Sequence, residues 1–94
     1  MRPGDVWLAD LGTEERTTVL VLSGKRTHDL TRRAFVTPRA PFGAVFPWHI
    51  EATDNTSWQV ELSAFVSTVS LVELAGNDPR AATLARQILT RLLT

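Results

Sequence analysis

Residues 2–24 read RPGDVWLADLGTEERTTVLVLSG, and this stretch decides the architecture. Two apolar runs, Val6 to Leu11 and Val19 to Leu22, stand on either side of the polar link GTEERTT, whose one cation is Arg16. Short apolar runs bounded by glycine and polar residues are strand signals. The same signal predicts strands over Asp5–Asp10, Thr18–Ser23, Ala34–Thr37, Pro47–Ala52, Ser57–Leu62 and Ala64–Leu74. In WQVELSAFV the apolar side chains fall on Trp58, Val60, Leu62, Ala64 and Val66. That period of two marks a sheet with one face on a core. The alternation then lapses, which predicts a bulge or bend near Ser67. The mixed run GKRTHDLTRR, from Gly24 to Arg33, reads as a loop, and RAPFGA as a proline- and glycine-punctuated connection.

The end of the chain changes character. In GNDPRAATLARQILTRLLT, Asp78 is placed to cap a helix and Pro79 to occupy its first position, where a missing N–H costs nothing. Ala81, Ala85, Ile88 and Leu92 recur at helical spacing, with Leu84 and Leu89 widening the stripe and Arg80, Arg86 and Arg91 off it. The expected helix either packs against the sheet or presents a surface to a partner. The fold class that follows is a small, mainly β domain of mostly antiparallel strands, barrel-like, with a C-terminal helix.

Ninety-four residues make a single domain, 1–94, near the lower size limit for a core without staples. Cysteine is absent, which excludes disulfides and thiolate zinc sites, and two histidines are too few for a histidine metal cage. No apolar stretch approaches the roughly 18 residues of a membrane span. The N-terminus lacks the charged-then-apolar shape of a secretory signal, so a cytoplasmic protein is expected.

The formal net charge of zero hides a gradient. Residues 25–39 hold Lys25, Arg26, Arg32, Arg33 and Arg39 against Asp29, a net of +4, whereas residues 40–76 hold four acids and no lysine or arginine. A local basic patch on a neutral protein can hold phosphates, and it can equally be a solvated loop. Trp7, Trp48 and Trp58 read as core or interface residues; an exposed Trp48 would stack an unpaired base. Glu14 and Glu15 read as a polar turn or as a general base.

The order PGDVWLADLG, VLVLS, AFVT, FPWHIEA and a leucine-rich helix resembles the MazF/PemK toxins of bacterial toxin–antitoxin systems, over nearly the whole chain. The opening Arg2, Gly4, Asp5, Val6, Trp7 and Asp10-Leu11 carries most of the likeness, with Pro3 inserted before the glycine. The resemblance implies an SH3-like barrel of the MazF/CcdB kind, a homodimer, and a cognate MazE-like antitoxin peptide. It also implies cleavage of single-stranded RNA without metal or cofactor, leaving a 2′,3′-cyclic phosphate. The family's arginine before the second strand falls on Thr17, and Arg16 lies one step earlier, which on a strand is the opposite face. The family's threonine at the end of the third strand matches Thr37, and His49 in FPWHIEA falls where many members have histidine. The family's Gln-Ile-Arg-Thr segment is matched by Phe65-Val66-Ser67-Thr68, which keeps the threonine and loses the arginine.

The resemblance therefore makes Arg16 and Thr37 the catalytic candidates. Lys25, Arg26, Arg32, Arg33, Arg39 and His49 are the RNA-binding candidates, with Arg32, Arg33 and Arg39 close enough in sequence to replace missing phosphate contacts at Thr37. Each has a plainer alternative: Thr37 a strand-terminal threonine before Pro38, Arg16 a link residue beside Glu14 and Glu15, His49 a packed strand residue. Two other functions fit the same likeness. One is a family member that binds RNA or an antitoxin without cutting. The other is a CcdB-like gyrase inhibitor, a group whose helix ends in an aromatic-glycine-hydrophobic tail where this chain ends TRLLT.

Overall fold

The computed structural model describes all residues from Met1 to Thr94. Seven strands and two helices follow in the order β1 Asp5–Ala9, β2 Thr17–Val21, α1 Lys25–Thr31, β3 Arg33–Ala40, β4 His49–Glu51, β5 Ser57–Gln59, β6 Ala64–Ser67, β7 Leu71–Asn77 and α2 Pro79–Leu92. All strand pairs are antiparallel, in the order β4-β5-β3-β2-β1-β7, with β6 lying on β3 beside this path. The N-terminal half of β3 pairs with β6 and its C-terminal end with β5. Thr37 and Pro38 lie at the change of partner, where proline's missing N–H breaks no bond.

The run Val19 to Leu22 is apolar throughout because the sheet buries both faces. Leu20 and Leu22 join Val6, Ile50, Trp58 and Val60 against Ala81, Ala82 and Ala85 of α2. Val19 and Val21 face the other way, onto Ala9, Ala34, Val36 and Leu71. The alanines let α2 sit close to the sheet. Its start is fixed by the expected cap: the Asp78 carboxylate accepts from Ala81 N at 3.2 Å and, with its other oxygen, from Trp58 Nε1 at 3.3 Å. Arg86 reaches back to donate to the Leu22 carbonyl at 2.9 Å. Leu92, predicted on the packing stripe, is exposed.

Gly4 locks the N-terminus to this corner. Its N–H donates to Val21 at 2.8 Å and its carbonyl accepts from Asp78 N at 2.6 Å. It has φ +95°, and a Cβ there would stand 2.8 Å from the Pro79 Cα.

Four expectations change in detail. The 24–33 run is not all loop: Lys25–Thr31 is a helix, α1, without a buried residue, ending at Arg32 in the left-handed conformation. The predicted strand Pro47–Ala52 is regular only over His49–Glu51. Ser57–Leu62 stops at Gln59 and closes in a 3-10 turn, Val60–Leu62, which leaves Leu62 exposed despite its place in the alternation. Ala64–Leu74 divides into β6 and β7 around a second 3-10 turn at Thr68–Ser70, so of the bulge or bend expected near Ser67 the structure has the bend. The bulges lie in the β1–β7 ladder, where the register shifts twice.

Candidate functional site

The link between β1 and β2 forms one wall of an open cleft of about 440 Å³, with Thr13, Glu15, Arg16, Thr17 and Thr18 on one side and Arg39, Ala40, Pro41 and Thr56 on the other. Link and β3 approach because β2 is antiparallel to β3, with Val19 opposite Pro38. The cleft brings together two of the predicted cations, Arg16 and Arg39, that are far apart in sequence.

Their settings differ. Arg16 is exposed at the mouth, with Nη1 3.7 Å from Glu73 Oε2 on β7. Exposed pairs at such a distance are weak, so this guanidinium can turn to another anion at little cost. Arg39 is half-buried, and its guanidinium carbon lies 5.6 Å from the centre of the Trp58 ring. A guanidinium over an indole is held in place without losing its donors. Arg39 also lines a second cavity of about 200 Å³ with Thr53, Trp58, Asn77 and Asp78. The β4–β5 hairpin and the end of β7 thus curl toward each other around it, which gives the sheet its barrel-like form.

Thr37 does not line this cleft. It is fully buried, and its Oγ1 lies 2.7 Å from Ser63 Oγ, which itself donates to the Val60 carbonyl at 2.7 Å. Ser63 N–H bonds the same carbonyl. The Val60–Leu62 turn therefore plugs the point where β3 changes partner, and the Thr37 hydroxyl is part of that plug.

His49 is also internal. Its Nδ1 accepts from Val45 N at 3.3 Å, which leaves Nε2 to donate to Glu61 Oε1 at 3.1 Å. Phe46 packs edge-on against the ring, and Phe46 stacks on Trp48 at 4.8 Å. One face of Trp48 is thereby occupied by its own chain.

The remaining basic residues do not gather with Arg39. Arg33 begins β3 and Arg39 lies six residues along it, about 20 Å at strand rise. Lys25 and Arg26 sit on α1, where Lys25 Nζ bonds Asp29 at 2.5 Å and that carboxylate raises the lysine pKa. Lys25, Arg26, Arg32 and Arg33 are exposed on α1, at its end and at the start of β3, away from Arg39. A hydrogen-bonded relay ties α1 to the sheet: Phe35 N–H donates to Ser23 Oγ at 2.8 Å, and Ser23 Oγ lies 2.8 Å from His28 Nε2. Burial and the charged N-terminal amine lower the His28 pKa, against a smaller opposing pull from Asp29.

Two participants escaped sequence reasoning. Glu73 reaches Arg16 from β7, and Thr56 closes the far wall of the cleft from the β4–β5 turn. Both depend on sheet closure, and neither carries a local signal.

What the fold defines is a curled antiparallel sheet sealed by a C-terminal helix, with a cation-bearing cleft at the β1–β2 link. No sequence-family model and no curated protein matches the chain. Solved structures do. The chain is similar to the crystal structure of a MazE–MazF complex from Deinococcus radiodurans, with a TM-score of 0.78 and 19% identity over 98% of this chain and 92% of that one. A second crystal form of the complex gives 0.78 at 18% identity, covering 98% and 94%. MazF alone from the same organism gives 0.76 at 18% identity with the same coverage. The chain has a MazF-like fold.

Proposed function

We propose that the chain is a toxin of the MazF/PemK kind: a metal-independent endoribonuclease that cuts single-stranded RNA in the cytoplasm, acts as a homodimer and is restrained by a MazE-like antitoxin. The observation that carries this reading is the meeting of Arg16 and Arg39 across one open cleft on a MazF-like fold. The MazE–MazF complexes among the similar structures support an antitoxin partner.

In this reading a scissile phosphodiester lies between the two guanidiniums. The ribose 2′-oxygen attacks the adjacent phosphorus, the bond from phosphorus to the 5′-oxygen breaks, and a 2′,3′-cyclic phosphate and a 5′-hydroxyl result. Arg39, preset over Trp58, and Arg16, swung from Glu73, bind the non-bridging oxygens as charge builds there. Glu15, on the cleft wall, takes the 2′-hydroxyl proton, and a solvent proton reaches the leaving 5′-oxygen. Thr37 serves as a positioning residue. It lies two residues from Arg39, on the same face of β3, and its hydroxyl fixes the strand to Ser63. Lys25, Arg26, Arg32 and Arg33 hold flanking phosphates.

One feature supports the homodimer. Val69, Val72 and Leu74 are exposed on or beside β7. A partner surface would cover them.

A second reading, RNA binding without cleavage, draws on the internal hydroxyl of Thr37 and the occupied Arg16. One experiment separates them. Purified protein is incubated with single-stranded RNA in EDTA, and the product ends are mapped. Cyclic-phosphate ends support the nuclease. RNA that is retained and intact supports the binding module, and RNA neither bound nor cut removes both.

A further inference from the structure

Arg39 faces two spaces at once. One is the cleft it shares with Arg16, and the other is the smaller hollow of about 200 Å³ where the end of β7 approaches the β4–β5 turn. At ~30 Å³ per liquid water, that hollow has room for roughly six or seven waters, the space of one nucleobase and too little for a whole nucleotide. Val6, Ala52 and Trp58 give it apolar walls, and Thr53 and Asn77 are its exposed polar residues. The β4–β5 turn borders both spaces, with Thr53 on the hollow and Thr56 on the cleft. Asp54 and Asn55 between them have φ of 56° and 55°, and Thr56 N–H returns to the Thr53 carbonyl at 3.2 Å, which makes this a tight, well-defined hairpin turn.

Two charged groups line the hollow, the Arg39 guanidinium and the Asp78 carboxylate, and they do not meet. The chain's ion pairs are Arg16–Glu73, Lys25–Asp29 and His49–Glu61, so Arg39 and Asp78 stand more than 4.0 Å apart. Trp58 steadies both. The guanidinium carbon lies 5.6 Å from its ring centre, and its Nε1 donates to Asp78 Oδ2 at 3.3 Å. Asp78 Oδ1 accepts from Ala81 N at 3.2 Å, so each carboxylate oxygen carries one bond and keeps a further lone pair. Opposite charges held apart in one hollow are bridged by a ligand that donates to the first and accepts from the second.

Taking RNA as the ligand of the Arg16–Arg39 cleft, we propose that the hollow receives a guanine base next to the phosphate held there. Single-stranded RNA offers splayed bases whose edges side chains read directly. Guanine alone among the four RNA bases presents two adjacent donors, N1–H and N2–H, to a carboxylate. On the adjoining edge it presents O6 and N7, the acceptors an arginine reads. Adenine and cytosine place a ring acceptor beside their one amine, which sets a lone pair against the second carboxylate oxygen. Uracil places its one N–H between two carbonyls. Arg39 has five donors, enough to bond a phosphate from one edge and the base from another. Asp78 is therefore a specificity-determining residue as well as the helix cap.

The test is binding of the full chain to fluorescent 2′-O-methyl heptamers, whose blocked 2′-oxygen cannot attack phosphorus. Each is uridine throughout except for a central guanosine, inosine, adenosine, cytidine or uridine. Guanosine is expected to bind at least tenfold more tightly than the other four. Inosine differs from it only by the missing N2 amine, so that arm reads the Asp78 contact on the unaltered protein. Asp78→Asn, which keeps a capping side chain but replaces one acceptor oxygen by a donor, is expected to bring the guanosine-to-uridine ratio to within twofold of one. Binding of inosine within twofold of guanosine, an unchanged ratio in folded Asp78→Asn, or no binding of any heptamer overturns the proposal. Guanosine 5′-monophosphate supplies the base without the RNA chain, and binding as tight as that of the heptamer would assign the hollow to a free nucleotide and overturn it too. Cleavage is not read here: base-blind binding by a protein that cuts RNA sinks this inference alone, and guanosine-selective binding without cutting sinks only the nuclease.

Discussion

Arg39 and Thr37 lie on one face of one strand yet do opposite things. Arg39 presents its donors to an open cleft, whereas Thr37 spends its hydroxyl inside the molecule on Ser63. Substitution separates these roles. Thr37→Val should cost about 1 kcal/mol in urea unfolding, because Ser63 keeps its bond to Val60 when the hydroxyl goes. RNA cleavage should fall less than tenfold, and Thr37→Ser should restore it. A hundredfold loss in Thr37→Val at unchanged stability would instead put that oxygen at the reacting phosphate. His49 follows the same logic. Its ring joins Val45 to Glu61, so His49→Ala should cost about 1–3 kcal/mol by leaving those groups unpaired, measured by the same unfolding curve. Thr37 and His49 stood out in the sequence because of where they match a family. Their burial was not legible, because it depends on the Val60–Leu62 turn, and WQVELSAFV alternates as cleanly through that turn as a continuous strand would.

Among the elements, β1, β2 and α2 were legible for local reasons. Apolar runs with glycine punctuation specify the first two, and Asp78-Pro79 specifies where the helix starts. α1 was not, since a seven-residue helix with no buried side chain has no apolar stripe to read. Its hold on the sheet is the Phe35–Ser23–His28 relay, and that hold depends on pH. The His28 pKa is lowered on folding, so as pH falls below the ordinary histidine value near 6.5 the unfolded chain takes up a proton that the folded chain resists. The His28 contribution to stability therefore declines from pH 7.5 to pH 5. His28→Gln should flatten that part of the profile in urea unfolding measured at both pH values. An identical slope in the variant would remove His28 from the account. Gly4 makes the corresponding prediction for the corner where β1, β2 and α2 meet. Gly4→Ala meets the Pro79 backbone at a left-handed φ, and should lower stability by roughly 1–3 kcal/mol, read as a lower denaturation midpoint.

At the scale of the whole molecule, charge is distributed by topology rather than by sequence neighbourhood. The basic run of residues 25–39 looked like one patch, but β3 stretches it over about 20 Å and delivers Arg39 alone to the cleft. Arg16 arrives there from the β1–β2 link, and Glu73 comes from the far edge to meet it. No window of sequence contains that constellation, because sheet closure assembles it. The central claim is that these two guanidiniums together hold a phosphodiester during its cleavage. The most direct measurement is the rate of single-stranded RNA cleavage in EDTA by the unaltered chain, by Arg16→Ala, by Arg39→Ala and by the double variant, each checked for folding by its thermal transition. The account predicts cyclic-phosphate products from the unaltered chain and a loss of about a hundred- to a thousandfold in each single variant. Folded single variants that cut as fast as the unaltered protein would contradict it.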